Sequence, residues 1–166
     1  MGIGCIGNGS HWALVALKEG LMAEQFRTFR DLECWKACRE LRVFVATGVM
    51  PALSRDEKYR LGDQLIRAAR STTANIAEGY GRYHYLDTAK FCSNARGSAY
   101  EVLDHLITAQ DENLIGADVF QAGEKLVEQS VKLLNGYIHY LQNMGRQAGV
   151  VKEDAPLYDV AGEREK

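Results

Sequence analysis

The sequence predicts an all-α fold, an antiparallel up-down-up-down four-helix bundle, and three observations lead to it. Apolar residues recur at helical spacing in four segments, and no segment alternates as a strand would. Short turn signals separate the four segments. The composition is 46% apolar and 25% charged with only two prolines, as expected for a helical protein, and 166 residues suffice for one core.

The first two helices are bounded by turn residues and by a cap. The first runs from about residue 31 to 47 and stops at the turn-forming residues 48 to 51. The second begins after Ser54, which with Glu57 has the spacing of a capping box, where hydroxyl and carboxylate each satisfy a free backbone N–H. The inward-facing residues predicted for these helices are Leu32, Trp35, Leu41, Val45, Leu61, Leu65, Ala68, Ala69, Thr72 and Ile76.

Two glycines, Gly79 and Gly81, mark the predicted second turn. The third helix follows over about residues 86 to 112, with Asp87 near its positive N-terminal end and Asn113 closing it. The fourth spans about residues 117 to 144 and ends before Gly145. Short loops between four helices predict an up-down bundle. The inward-facing residues predicted for the last two helices are Phe91, Ala95, Ser98, Val102, Leu106, Phe120, Leu126, Val127, Leu133, Leu134, Tyr137 and Leu141.

The bundle is expected to occupy residues 29 to 146, between two flexible tails. Residues 1 to 28 form the N-terminal extension. No basic segment precedes its apolar patch, as a secretion signal would require, and the stretch that begins at Met22 resembles a natural start. Residues 147 to 166 carry glycine, proline and many charges, which is typical of a tail. Because no apolar run reaches about 18 residues, we predict no membrane span and a cytoplasmic protein.

The cysteines and histidines do not form a recognisable metal or catalytic motif. Cys34 and Cys38 lie one helical turn apart and are expected to pack as reduced, buried hydrophobes. Glu101 and His105 are also one turn apart, but di-iron bundles need Glu-x-x-His on two helices. Neither a phosphate-binding glycine loop nor a nucleophile elbow is found. We therefore expect no enzyme activity, no cofactor and no metal, and a metal-dependent bundle enzyme is the third alternative.

Residues 64 to 82 read QLIRAARSTTANIAEGYGR, which closely resembles the signature of four-helix-bundle proteins encoded in intervening sequences of bacterial 23S ribosomal RNA genes. The resemblance continues in DLECWK, ARGSAYE and LLNGY and covers about residues 29 to 144. It implies a ring-shaped homopentamer without established enzyme activity. A related bundle is the accessory variability protein of diversity-generating retroelements, whose basic surface engages RNA and reverse transcriptase. The family resemblance thus implies further copies of the chain as partners, and the retroelement analogy adds RNA or DNA and a reverse transcriptase.

The clearest local excess of positive charge falls on the second helix, although the whole chain has a formal net charge of -2. Subunits of a ring present the same side chains toward one axis, so a small excess per subunit is multiplied and favours RNA binding. An ordinary solvated face with ion pairs is the alternative, in which the protein is an assembly or scaffold factor without nucleic-acid binding. The candidate nucleic-acid-binding residues are Arg55, Lys58, Arg60, Arg67, Arg70, Arg82 and Arg96.

Polar residues also recur on one face of the second helix, beside small alanines that let another helix approach. These polar groups either pair within the bundle, contact another subunit or form a ligand site, and the sequence leaves the three alternatives open. The tyrosines that follow the helix either stack on bases or pack between subunits. The candidate residues for the oligomer interface or for structural polar contacts are Asn75, Glu78, Tyr80, Tyr83, Ser98 and Glu101.

Overall fold

The structure, a computed structural model, describes residues 28 to 149, which contain five α-helices and no β-strand. The all-α prediction is therefore confirmed for this part of the chain. The predicted tails, apart from residue 28 and residues 147 to 149, lie outside the described residues. The helices are α1 (Glu33–Phe44), α2 (Arg55–Tyr59), α3 (Leu61–Tyr80), α4 (Tyr85–Asp111) and α5 (Ala117–Gly149).

The four long helices pack around a shared apolar interior. α1 packs against α3 and α5, α3 packs against α4, and α4 packs against α5, so every long helix has two long neighbours. A fully buried leucine or isoleucine side chain stabilises such an interior by about 1.5 to 3 kcal/mol. The side chains with the least exposure include Leu41, Val45, Leu65, Ile76, Cys92, Val102, Leu106, Val127 and Leu134.

The predicted inward-facing positions are largely correct, because helical periodicity reports directly which face a helix buries. Most of these side chains are buried. The larger ones at the margin of the interior are only half-buried, since a wide side chain on the edge of a stripe keeps one side in solvent. These half-buried residues are Trp35, Phe91, Phe120, Leu126, Leu133 and Tyr137.

The predicted second helix is not continuous, and this corrects the prediction. Its first turn is α2, and the chain bends at Arg60 (φ -97°, ψ -89°) before α3 begins. Ser54 caps α2 by accepting the Glu57 backbone N–H at 3.3 Å, but the Glu57 carboxylate lies 3.6 Å from the Arg60 guanidinium, so only half of the capping box forms. The bend allows Leu53 and Leu61, on either side of α2, both to be buried.

The ends of α1 also differ from the prediction. A separate 3₁₀ turn, Phe29–Asp31, precedes the helix, and Thr28 caps it with a complete capping box. Asp31 supplies the carboxylate of that box, and the extended backbone of Leu32 (ψ 126°) separates the turn from α1, which begins at Glu33. Beyond Phe44 the chain continues as a π-helical turn, Val45–Val49, so the helical path is wider there than in an α-helix.

The last two helices show one correct and one incorrect boundary. Asn113 has a left-handed backbone (φ 57°) directly after α4, so it closes that helix as predicted. Gly145 does not stop α5, which continues to Gly149, so the predicted end of the fourth helix is wrong. Gly145 packs against α4 instead, because a Cβ at this position would lie 2.6 Å from a methyl group of Leu86.

Gly79 lies inside α3 and has a packing function, which corrects the prediction that it forms the turn. A Cβ on Gly79 would lie 2.7 Å from the Cβ of Phe91 on α4, closer than real side chains approach. The Thr88 hydroxyl of α4 donates to the Gly79 carbonyl at 2.9 Å. The turn itself contains Gly81 and Tyr83, and Tyr83 rather than a glycine has the positive φ of 58°.

Candidate nucleic-acid interface

The candidate cations on and beside α2 and α3 form what we call the predicted basic row. Carboxylates of the same segment neutralise some of these cations. Arg67 Nη2 lies 3.2 Å from Asp63 Oδ2, and Arg82 Nη2 lies 2.6 Å from Glu78 Oε1. Arg60 has the carboxylate partner at the bend described above. Exposed pairs of this kind contribute only about 0 to 1 kcal/mol to folding, but each one lowers the positive field that a phosphate would meet.

Three other members of the predicted row, Arg55, Lys58 and Arg70, are exposed and have no ion-pair partner within residues 28 to 149. Arg42 on α1 contacts the turn of α3 that follows Arg70, where the Thr73 hydroxyl in turn donates to the Arg70 carbonyl at 3.2 Å, although the sequence did not indicate it. Its Nη1 donates to the Thr73 hydroxyl of α3 at 3.0 Å, one helical turn beyond Arg70. We call the surface formed by Arg42 and Arg70 the α1–α3 basic face.

Asn75 and Ser98 meet at the contact between α3 and α4, within the subunit. Asn75 Nδ2 donates to the Ser71 carbonyl at 2.9 Å and to the Ser71 hydroxyl at 3.0 Å. The Ser98 hydroxyl of α4 donates to the same Ser71 hydroxyl at 2.9 Å. This network supplies partners for polar groups at the helix contact, where an unpaired group would cost about 1 to 3 kcal/mol.

The remaining candidate polar and aromatic residues differ in exposure and in their partners. Glu78 is exposed in its pair with Arg82, whereas Tyr80 is half-buried and packs edge-on against Phe29, with ring centroids 6.5 Å apart. Glu101 is exposed, and its Oε1 lies 3.9 Å from the buried Nε2 of His105. Tyr83 is 94% exposed.

The thiols described by the structure behave as packed apolar groups. Cys34, Cys38 and Cys92 are buried and unpaired, while Cys5 lies outside the described residues. Burial raises the pKa of Cys34 and Cys92 to about 12 and that of Cys38 to about 11, so all three remain protonated at neutral pH. In the described part of the chain, no group of three His, Cys, Asp or Glu residues is arranged to hold a metal ion.

Arg96 does not extend the row on α3, contrary to the prediction. It lies in a groove of about 470 Å³ between α4 and α5, where Nη1 donates to Asn135 Oδ1 at 2.7 Å and Nη2 to the Ser93 hydroxyl at 3.3 Å. Both partners are neutral, so the guanidinium keeps its full charge. Lys90 and His139 line the same groove and were not predicted, although the three-residue spacing of Lys90, Ser93 and Arg96 could have indicated a shared helix face.

A second groove, of about 420 Å³, lies between α1 and α5 and is mainly apolar. Its lining includes Leu32, Leu133, Tyr137 and Gly136. Gly136 is exposed in the middle of α5, and apart from its two chain neighbours and the adjacent backbone of α5, no described atom lies within 4 Å of the position that its Cβ would take. A glycine within a helix costs about 1 kcal/mol relative to alanine, and no contact among the described residues requires one here.

The family described as 23S rRNA-intervening sequence protein matches residues 30–136, well over half of the 166 residues. The match therefore covers α1 to α4 in full, together with the part of α5 that carries Asn135 and Gly136. No curated protein matches the chain. Within residues 28 to 149, none of the helices combines the length and apolarity needed to cross a membrane.

Proposed function

Because the chain belongs to the family of 23S rRNA-intervening sequence proteins, we propose that it is a cytoplasmic, non-enzymatic four-helix bundle that forms a ring-shaped homopentamer and binds RNA through a basic surface. The proposal has three parts: the bundle topology, the assembly and the RNA contact. Each rests on a different set of contacts in the described residues.

The up-down-up-down topology is supported by the order of contacts between neighbouring helices. Ser71 near the middle of α3 meets Ser98, whereas Gly79 near the end of α3 meets Thr88 near the start of α4. The contacts therefore run in opposite directions along α3 and α4, as in antiparallel helices. The same order holds between α4 and α5, and the connections at residues 81 to 84 and 112 to 116 are short.

The observation that carries RNA binding is the α1–α3 basic face. Arg42 is held by its hydrogen bond to Thr73, and Arg70 lies one turn away without a carboxylate partner in the described structure. Two cations on one face give a modest field in a single subunit. In a ring, the same face is repeated around the axis, and repeated cations bind a phosphate backbone by releasing its condensed counterions.

The assembly is supported by the apolar α1–α5 groove. A second copy packed against this groove would remove apolar surface from water, which is the main favourable contribution to association. Gly136 would let the backbone of that copy approach α5 closely, which explains a glycine that no contact within the described subunit requires.

The RNA contact is tested by charge reversal at Arg70. A labelled RNA is titrated with wild type, Arg70→Glu and Lys125→Glu, with fluorescence anisotropy measured at several salt concentrations. Lys125 is a matched control because it is also exposed and unpaired among the described residues but lies outside the basic face. We expect Arg70→Glu to weaken binding about tenfold and to reduce the salt slope by about one, with little effect of Lys125→Glu.

Two results would count against the RNA contact. Equal affinities of Arg70→Glu and wild type would remove the α1–α3 basic face from the binding site. A wild-type protein that binds no RNA at low salt would favour the alternative function, an assembly factor that binds only proteins.

The assembly is tested by native mass, measured with light scattering on a size-exclusion column. Gly136→Leu places a side chain in the proposed contact, and Gly97→Leu is the matched control because Gly97 is an equally open, exposed glycine on α4. We expect a wild-type mass near five subunits, a smaller mass for Gly136→Leu and an unchanged mass for Gly97→Leu. Dissociation caused by Gly97→Leu alone would place the contact on α4 and contradict the proposal.

A further inference from the structure

Three hollows lie end to end between α4 and α5. The middle hollow is the groove around Arg96, and it shares Leu86 with the hollow at the start of α4 and Asn135 with the hollow on its other side. Neighbouring hollows therefore adjoin, and we call the three together the seam groove. Residues 85 to 103 of α4 border it and rise by about 27 Å along the helix axis.

The centre of the seam groove is positively charged. Lys90, Arg96 and His139 line the middle hollow, and none of its lining residues is acidic. Lys90 has no ion-pair partner in the described structure, and the neutral partners of Arg96 fix its guanidinium without cancelling its charge. Carboxylates occur only in the outer hollows, at Asp87 and Glu128. A fixed guanidinium with neutral partners is well suited to a phosphate.

Aromatic side chains line both ends of the seam groove. Tyr83 and Tyr85 line the first hollow, and Tyr100 lines the third. Tyr83 is 94% exposed. Its backbone has a positive φ, a conformation that is strained for a residue with a bulky side chain. Such strain is retained where the surroundings or a function require it. Because the Tyr83 side chain is almost fully in solvent, packing of that side chain does not require the strain. A positively charged groove with exposed aromatic rings along it is the kind of surface on which unpaired bases stack.

We propose that the seam groove binds a single strand of RNA, with backbone phosphates on Arg96 and Lys90 and bases stacked on Tyr83 and Tyr85. This inference rests on the proposed RNA binding but assigns it a second surface, on the other pair of helices from the α1–α3 basic face. The three hollows lie between neighbouring helices whose axes are typically about 8 to 10 Å apart, which suits one strand better than a duplex. A second copy of the chain has a better site in the apolar α1–α5 groove.

The test compares two groove variants with two matched controls, using a labelled single-stranded RNA and fluorescence anisotropy. Lys90→Glu is compared with Lys125→Glu, which makes the same charge change on an exposed residue outside the groove. Tyr83→Ala is compared with Tyr59→Ala, because Tyr59 is 75% exposed on α2. We expect each groove variant to bind about tenfold more weakly than wild type and each control to bind within about twofold.

A crosslinking arm locates the strand directly. RNA that contains 4-thiouridine is irradiated with the wild-type protein, and the crosslinked peptides are identified by mass spectrometry. We expect crosslinks on the segment that contains Tyr83 and Tyr85. Crosslinks confined to α1 and α3 would overturn the proposal.

The remaining outcomes separate this proposal from the proposed function. If Lys90→Glu and Tyr83→Ala bind as wild type while Arg70→Glu is weakened, the seam groove is excluded and RNA binding by the α1–α3 basic face stands. If the wild type binds no RNA, both proposals fail. A changed native mass of Lys90→Glu would show that the groove is a contact between subunits, and competition by duplex RNA equal to that by single strands would overturn the single-strand assignment.

Discussion

The Ser98 hydroxyl on α4 donates a hydrogen bond to the Ser71 hydroxyl on α3, over 2.9 Å. Ser71 also accepts from Asn75 one turn further along α3, so three side chains from two signature segments join at one helix contact. The signature therefore describes, at these positions, how two helices of one subunit recognise each other. The surfaces that we assign to RNA lie elsewhere on the same helices.

The shared hydroxyl should make Ser71 and Ser98 energetically coupled. Ser71→Ala leaves the buried Ser98 hydroxyl without its acceptor, so we expect a loss of about 1 to 2 kcal/mol in the free energy of unfolding. Ser98→Ala should cost less, because Asn75 still donates to Ser71. Urea unfolding of both single variants and the double variant should show a coupling of about 0.5 to 1 kcal/mol, whereas additive losses would mean that the hydroxyls do not interact.

Two helical glycines should respond to alanine in opposite directions. Gly79→Ala places a methyl group 2.7 Å from the Cβ of Phe91 and 3.3 Å from the Thr88 carbonyl, and such overpacking costs about 1 to 3 kcal/mol. Gly97→Ala meets no described atom beyond its chain neighbours and the adjacent backbone of α4, and it should stabilise the helix by up to about 1 kcal/mol. Urea unfolding measures both. A neutral Gly79→Ala would show that α3 and α4 separate there at little cost.

Removing a carboxylate that neutralises an arginine should strengthen RNA binding. Asp63→Asn removes the charge that lies 3.2 Å from Arg67, so we expect severalfold tighter binding and a salt slope that increases by about one. Glu112→Gln is the control, because it makes the same change in net charge at an exposed residue with no ion pair in the described structure. If both variants gain equally in an anisotropy titration, net charge alone is responsible and Arg67 does not contact RNA.

The buried thiols should make the fold sensitive to alkali. Burial raises the pKa of Cys34 and Cys92 from an ordinary 9.0 to about 12 and that of Cys38 to about 11, so above pH 9 the unfolded chain ionises while the folded protein does not. The free energy of unfolding should therefore fall as the pH rises from 9 toward 11, by up to about 1.4 kcal/mol per thiol and pH unit. Urea unfolding at a series of pH values measures this slope.

A single substitution isolates the contribution of one thiol to that slope. Cys92→Ala removes one of the three groups and should reduce the alkaline slope, at the cost of a small cavity. Tyr137 acts in the same direction, because burial raises its pKa as well. A slope that is identical in Cys92→Ala and wild type would show that this thiol is not the titrating group.

The helices and their buried faces could be predicted because both are local properties of the chain. The apolar residues of α3, such as Leu65 and Ile76, recur at the helical period, and Asn113 ends α4 with a left-handed backbone that asparagine tolerates. The prediction failed at Arg60, since a bend that buries Leu53 and Leu61 depends on what lies opposite them. It failed at Gly145 for the same reason, because Leu86 packs there.

The candidate site shows the same division between local and long-range information. The sequence by itself determined that the chain is helical and that cations recur on α2 and α3. It also determined that polar residues recur beside small alanines on one face of the helix that carries the signature. Only the tertiary structure decided which cations lack a carboxylate partner. It also placed Arg96 in a groove between α4 and α5, where its partner Asn135 is 39 positions away along the chain. Periodicity reports how a helix divides its surface between core and solvent, whereas the partner of each exposed charge is set by packing between residues that are distant in sequence.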